Sequence, residues 1–329
     1  MTRILLAGYG NVGKAFHELL VEETSRLAAM LGEAPRVVGV LRRSGAWVDE
    51  AGLRPGATLL NKRQHLTFAE AIEKLRPDLV VELTPTNLQT GEPGASHIRA
   101  ALEKGIPVVT ANKGPLLRHY KALTTLAREK GTDLRFEGTV AGSIPTLNLH
   151  EFCLPGNPVQ RIDGILNGTS NYILTRMAEE GLGFDDALKE AQELGYAEAD
   201  PTADVEGHDA AAKICILANH VLGLPLAFED VKREGIRSIT AAAIRLAKKE
   251  GYAIRLIATV DAATRHASVA PRLVRDGSSL NVAGSLNVVR LTTAHAGAFT
   301  ISGKGAGGRE TATAVLSDVV QVLMRPQKR

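Results

Sequence analysis

Apolar and polar positions follow two different rhythms along the 329 residues of this chain. Up to about residue 137, short unbroken apolar runs alternate with stretches of helical spacing. Residues 4–7, 36–41, 79–83, 106–110 and 133–136 read as strands, the second after an Ala34-Pro35 break. Residues 12–30, 68–75, 95–104 and 116–130 read as helices. Strands apolar along their whole length are buried on both faces, and their alternation with helices predicts an α/β fold with a doubly wound parallel sheet.

Beyond residue 137 the rhythm changes. A strand at 159–166 is followed by helices at 172–180, 184–194 and 208–222, and then by β-rich segments at 254–260, 267–274, 285–291 and 298–302. This is an α+β pattern, closed by a helix at 311–323. The predicted division is a dinucleotide-binding Rossmann domain at 1–136, a second domain at 137–304, and a segment at 305–329 returning to the first. Neither internal repeats nor low-complexity tracts are present.

The first strand runs into Gly8-Tyr9-Gly10-Asn11-Val12-Gly13, which is GxGxxG between a strand and a helix. In that context the first glycine allows a tight turn and the second admits a pyrophosphate to the backbone. The third lets helix pack closely on strand, and the helix N-terminus meets the phosphate charge. The same stretch through Lys14 fits a GxxxxGK phosphate loop, but Ala15 stands where that motif needs a magnesium-binding hydroxyl. An acid at the end of the second strand would hold the ribose 2′-hydroxyl of NAD. Here the strand runs out into Arg42-Arg43-Ser44, and two guanidiniums suit a 2′-phosphate. NADP is the predicted cofactor, with NAD the other candidate.

Composition narrows the field further. The formal net charge is +3, and short basic clusters such as Arg42-Arg43 and Lys248-Lys249 are too brief for a nucleic-acid or lipid surface. Cys153 and Cys215 are the only cysteines, too few for a disulfide framework, and neither CxxC nor HExxH occurs. The apolar run after Met1-Thr2-Arg3 is too short for a signal or membrane segment. A small-molecule enzyme of the reducing cytoplasm is the expectation.

The stretch 208–222 carries the clearest chemistry outside the glycine loop. Asp209 and Lys213, four apart, share one helix face. Ala210, Ala211, Ala212, Ile214, Cys215, Ile216, Leu217 and Ala218 surround them. A helix so apolar around its girth is buried, and charges on it require partners. A polar cavity accounts for the pair better than a surface salt bridge does. Oxidising an alcohol by hydride transfer needs a group for the hydroxyl proton. A lysine serves when burial or a nearby cation weakens its hold on its own proton. Residues 167–169 read as a strand-to-helix turn with Thr169 or Ser170 as N-cap. Asp200 and Asp204 read as turn and capping residues.

Several motifs, in order along nearly the whole chain, resemble the homoserine dehydrogenase family. They are Leu83-Thr84-Pro85-Thr86-Asn87, Gly91-Glu92-Pro93 and Val109-Thr110-Ala111-Asn112-Lys113-Gly114. Gly164-Ile165-Leu166-Asn167-Gly168-Thr169-Ser170-Asn171 and Gly195-Tyr196-Ala197-Glu198-Ala199-Asp200-Pro201 are the most specific, the latter continuing through Asp204, Asp209 and Lys213. Gly305-Ala306-Gly307-Gly308 also fits; Val140-Ala141-Gly142-Ser143-Ile144-Pro145 departs in being less glycine-rich than the family's loop.

The resemblance implies NAD(P)-linked interconversion of L-homoserine and L-aspartate 4-semialdehyde, a step of threonine and methionine biosynthesis. It implies a homodimer paired through the second domain, which would be catalytic as well as dimerising. By resemblance Lys213 is the acid/base, and Lys113 lies beside the nicotinamide and the reacting oxygen. Glu198 and Asp209 bind the substrate's ammonium and hydroxyl groups. Gly8, Gly10, Asn11, Val12, Gly13, Arg42, Arg43, Thr84, Lys113 and Gly305 meet the cofactor. Glu137, Val140, Gly142 and Ile144 fit the family's sodium loop, in which backbone carbonyls bind the ion. The sequence stops soon after the helix at 311–323, so the expectation is a short form without a C-terminal regulatory domain and insensitive to threonine. Two rivals are a semialdehyde dehydrogenase, which would need Cys153 or Cys215 as nucleophile, and a dinucleotide-sensing module, which would leave the Asp209–Lys213 line unexplained.

Overall fold

The computed structural model describes residues 2–56 and 63–324, so the end of the returning segment, 325–329, lies outside the described residues. The chain forms two compact units: the described parts of Met1–Thr139 with Gly307–Arg329, and Val140–Ala306.

In the first unit, β1 (Arg3–Ala7), β2 (Arg36–Arg42), β3 (Gly45–Val48), β4 (Arg63–Gln64), β5 (Leu79–Glu82), β6 (Val108–Thr110) and β7 (Leu134–Arg135) form one sheet in the order β4-β3-β2-β1-β5-β6-β7. The strands from β2 to β7 in that order pair in parallel, while β3 and β4 add an antiparallel edge. Alternation along β1 splits its side chains between two cores. Ile4 and Leu6 pack with Phe16, Leu20, Val315 and Val319 on one face. Leu5 and Ala7 pack with Ile72, Leu75, Ile98 and Leu102 on the other. Both faces are therefore covered, which is the doubly wound arrangement. The helix Gly308–Met324 belongs to the first of these cores, and the chain rejoins this unit at Gly307.

Two local features differ from the sequence expectation. The single helix predicted at 12–30 is two, Asn11–Glu22 and Thr24–Leu31. The Thr24 hydroxyl donates to the Val21 carbonyl at 2.7 Å and to that of Leu20 at 3.3 Å, competing with the helical ladder. The second helix ends at Gly32 in the left-handed region. Past β2 the chain does not run out into a loop. Arg43 and Ser44 form a tight turn into β3, with Arg42 paired to Gly45 at φ 138°.

The second unit is built on β8 (Val159–Ile165), β9 (Lys232–Arg233), β10 (Tyr252–Asp261), β11 (His266–Arg275), β12 (Leu286–Thr293) and β13 (Ala298–Lys304). Their order is β13-β12-β8-β10-β11-β9, antiparallel throughout except for β9 beside β11. Helices Gly168–Glu180, His208–Val221 and Ala241–Lys249 pack against this sheet. Strands β8 to β13 with segregated helices make this unit α+β. Among the described residues no helix is long and apolar enough to cross a membrane.

Candidate active site

Each glycine of the first loop has its own physical reason. Gly8 sits at φ 94°, and a Cβ there would lie 2.2 Å from the Leu83 carbonyl oxygen. A Cβ at Gly13 would come within 2.5 Å of the Gly8 carbonyl oxygen, so the helix can approach the turn only without one. Gly10 faces open space, with nothing within 4 Å of a Cβ position. Gly10 also begins helix Asn11–Glu22, which has no side-chain cap and no acid in its first turn. Backbone donors of Asn11, Val12 and Gly13 thus stand at an open, uncapped N-terminus, a cradle that fits a pyrophosphate.

Arg42 ends β2 with its guanidinium 5.8 Å from the centre of the Trp47 ring, and Arg43 is exposed in the turn. Neither strand end nor turn carries an acid. At the neighbouring strand ends, Thr84 follows β5 and Lys113 opens helix Lys113–Glu129, whose N-cap Asn112 accepts from Gly114 N at 3.2 Å.

In the second unit the residues of the central motifs converge. Leu166, just past β8, accepts a hydrogen bond from Lys213 Nζ at 2.6 Å. Asp209 Oδ2 lies 2.7 Å from the same ammonium. Lys213 and the surrounding helix His208–Val221 are buried as the sequence predicts. Asn167 joins the cluster through its amide, which donates to Asp209 Oδ2 at 3.1 Å and to Asp204 Oδ1 at 2.6 Å. Its Oδ1 accepts from Ser170 N at 2.9 Å, so Asn167 itself is the N-cap of helix Gly168–Glu180. That corrects the expectation of Thr169 or Ser170. The Thr169 hydroxyl is turned instead to the Tyr196 carbonyl at 2.7 Å.

Burial pushes the Asp204 carboxyl above its ordinary range; Asp209 adds to this, while the Asn167 amide and the Lys213 ammonium oppose it. Asp204, read as a capping residue from sequence, is therefore part of the cluster. Asp200 is a turn residue, accepting from Thr202 N at 3.1 Å. Glu198 is exposed, and its carboxylate takes no hydrogen bond among the described residues. What holds its loop is the Gln192 amide on the Glu198 carbonyl at 3.1 Å.

Gly305 packs so closely on Asn287 that a Cβ would fall 1.9 Å from the amide nitrogen. Asn287 is fully buried on β12, and neither of its amide atoms has a partner among the described residues. Burying a carboxamide without partners is costly, which sets Asn287 apart from the apolar residues around it on β12. Sequence reasoning missed it because one Asn in an apolar strand carries no motif.

In the turn expected to bind sodium, Glu137 is buried and its amide donates to Asp318 Oδ2 at 2.8 Å. Ala141 and Gly142 both have positive φ, 53° and 58°, and the Ile144 carbonyl accepts from Thr146 N at 2.8 Å. Val140 and Ile144 are buried. Among the described residues no group of three His, Cys, Asp or Glu side chains is placed to hold a metal.

Comparison with known proteins bears on both units. Residues 8–137 match the family model of the homoserine dehydrogenase NAD-binding domain, and residues 145–320 match that of homoserine dehydrogenase itself. The chain belongs to the homoserine dehydrogenase family. It is 42% identical to the homoserine dehydrogenase of Methanocaldococcus jannaschii, with 99% of each chain covered. It is 39% identical to the NAD(+)-dependent homoserine dehydrogenase of Pseudomonas canavaninivorans, over 97% of this chain and 96% of that one. A hyperthermophilic archaeal homoserine dehydrogenase mutant, solved in complex with NADPH, superposes with a TM-score of 0.83 at 29% identity, covering 100% of this chain and 99% of the other. The family's members are NAD(P)-dependent oxidoreductases acting on a CH–OH group, and the glycine loop and buried lysine suit that chemistry.

Proposed function

We propose that this chain interconverts L-homoserine and L-aspartate 4-semialdehyde with NADP in preference to NAD, and that Lys213 is its acid/base. The observation that carries this is the buried Lys213 ammonium, held between the Leu166 carbonyl and Asp209. Bound NAD(P) supplies the hydride acceptor. As the carbinol carbon gives up hydride, the hydroxyl proton passes to Lys213 Nζ in its neutral amine form, giving the ammonium, and in the reverse direction the ammonium returns that proton. Lys213 is held at a fixed point by two oxygens, so its position costs little to maintain at the moment of reaction. Asp209 accepts from the substrate as well as from Lys213, and Glu198 supplies a second carboxylate for the substrate ammonium.

On the cofactor-binding unit, Gly8, Gly10, Asn11, Val12 and Gly13 cradle the pyrophosphate. Arg42 and Arg43 grip the 2′-phosphate, and Thr84 and Lys113 meet the nicotinamide end; Gly305, which belongs to the second unit, is included in this reading by family resemblance. The same reading includes sodium on the carbonyls of Glu137, Val140, Gly142 and Ile144, and a homodimer formed through the second unit. It divides the chain into a cofactor domain at 1–136 with 305–329 and a catalytic domain at 137–304. The nucleophilic-cysteine alternative is disfavoured by Cys215, buried with its Sγ 3.2 Å from the Leu226 carbonyl, and by the surface position of Cys153.

The test is the formation of NADPH with L-homoserine against a panel of hydroxy acids and amino alcohols. Turnover confined to homoserine is expected. Equal rates with simple 2-hydroxy acids, or loss of rate on thiol blocking, would overturn the assignment.

A further inference from the structure

Glu82 is a fully buried carboxylate at the end of β5, a strand otherwise apolar. Burying a carboxylate is costly unless hydrogen bonds compensate it, and its two oxygens are used in a regular way. Oε1 accepts from the Thr84 amide at 3.0 Å and from the Thr84 hydroxyl. Oε2 lies 3.1 Å from the Thr110 hydroxyl, whose single proton it shares with the Glu82 backbone carbonyl at 2.9 Å. Each of those hydroxyls in turn accepts from Asn112: Thr84 Oγ1 from the side-chain amide at 3.3 Å, Thr110 Oγ1 from the backbone amide at 3.0 Å. Asn112 Oδ1 then caps the helix that opens with Lys113.

Both oxygens of one carboxylate thus reach, through two threonine hydroxyls, the two donors of a single asparagine. The parallel register supports this, since Glu82 and Thr110 are paired on β5 and β6. On the other side, the nearest charged or titratable group is His97 on helix Gly94–Glu103. Its Nδ1 is 3.9 Å from Glu82 and its ring is stacked on Phe68. A carboxylate whose hydrogen bonds all lead toward one helix start is oriented for a purpose beyond strand pairing.

We propose that Glu82 is a positioning residue for Lys113: it fixes the direction of both hydroxyls, these fix Asn112, and Asn112 sets where the first turn of the helix places the Lys113 ammonium. This rests on the reading that Lys113 acts at the nicotinamide end. Glu82→Gln keeps the shape but puts a donor where an acceptor is required, so one hydroxyl must turn away. Displacing a catalytic group by about 1 Å can cost roughly a hundredfold in rate. The expected result is a ten- to hundredfold fall in kcat on that scale, exceeding any change in the NADPH dissociation constant, in a protein that still melts cooperatively.

Thr110→Val breaks one arm of the same linkage without touching the carboxylate, and serves if Glu82→Gln folds poorly. In cofactor-free protein, hydrogen exchange at the amides of Asn112 to Gly114 should rise in both variants, while that of β1 does not. A double-mutant cycle separates this proposal from the reading beneath it. If Glu82 acts through Lys113, adding Glu82→Gln to Lys113→Ala lowers kcat no further. Multiplicative losses, or unchanged amide exchange, would overturn the positioning role alone. A Lys113→Ala enzyme retaining full rate would instead remove the role of Lys113, and the present proposal with it.

Discussion

Residue by residue, the site is a set of side chains that burial would penalise in any other role. Asp204 illustrates this. Its carboxyl is raised above the ordinary range by burial, with the Asp209 charge adding to it, so the folded protein resists its ionisation. The associated stability is full below the unfolded value of about 3.9 and is lost as pH rises through the folded one. Asp204→Asn should therefore melt no lower than wild type at neutral pH, with the gap closing in its disfavour below about pH 4. At the same time kcat/KM for homoserine should fall, as expected of a site that trades stability for function. A variant that loses stability at pH 7 and keeps its rate would make Asp204 structural. Arg42 and Arg43 make the second prediction at this scale. Replacing both with Ala should raise the KM for NADP by about a hundredfold or more, the scale of two lost charge-assisted hydrogen bonds, and change that for NAD much less. An equal effect on both cofactors would remove the assignment. The arginines were legible in the sequence as a missing acid, whereas the cation–π contact of Arg42 with Trp47 depends on a hairpin that the residues past β2 did not announce.

At the scale of elements, the apolar runs foretold the parallel strands and the helices between them, because burial on both faces leaves an unmistakable pattern. The break at Thr24 and the edge strands β3 and β4 were not legible. The Thr24 hydroxyl interrupts the first helix, and the edge strands are short, with β4 only two residues long and partly exposed. The N-cap Asn167 shows how one residue can serve two elements. Its oxygen caps helix Gly168–Glu180 and its nitrogen holds Asp209 and Asp204. Asn167→Ala should cost about 1 kcal/mol from the lost cap and should lower kcat/KM. Asn167→Asp keeps the capping oxygen but brings a third carboxylate beside Asp204 and Asp209, so its rate loss should exceed that of Ala. Thermal melts beside steady-state rates check this; a rate loss in Asn167→Ala with Asn167→Asp at the wild-type rate would mean that only the cap matters.

Across the molecule, each unit carries its own sheet and its own source of stability. In the second, Asp163 on β8 is buried among Arg161, Arg290 of β12 and Thr259 of β10. Burial alone would raise its carboxyl, but the hydrogen bonds from both arginines and Thr259 outweigh that and hold it below the ordinary range. The resulting stability is present above the unfolded value of about 3.9 and is lost as pH falls through the folded one. Asp163→Asn should be less stable than wild type at neutral pH by about 2 kcal/mol, reduced by the partial exposure of both arginines. The difference should vanish in strong acid, and a constant difference across pH would contradict the assignment. The family was legible from motifs spread over both units. The roles of Glu82, Asp204 and Asn287 were not, because each depends on partners 28 or more positions away or on a packing contact that no local spacing encodes.

The central claim is that Lys213 handles the hydroxyl proton. The direct measurement is kcat for homoserine oxidation by Lys213→Ala beside the NADPH dissociation constant from fluorescence titration. Loss of roughly a hundred- to ten-thousandfold in kcat with cofactor affinity unchanged is the predicted result. A variant retaining more than about a tenth of the wild-type rate, far above what loss of an acid/base leaves, would show Lys213 to be only the salt-bridge partner of Asp209.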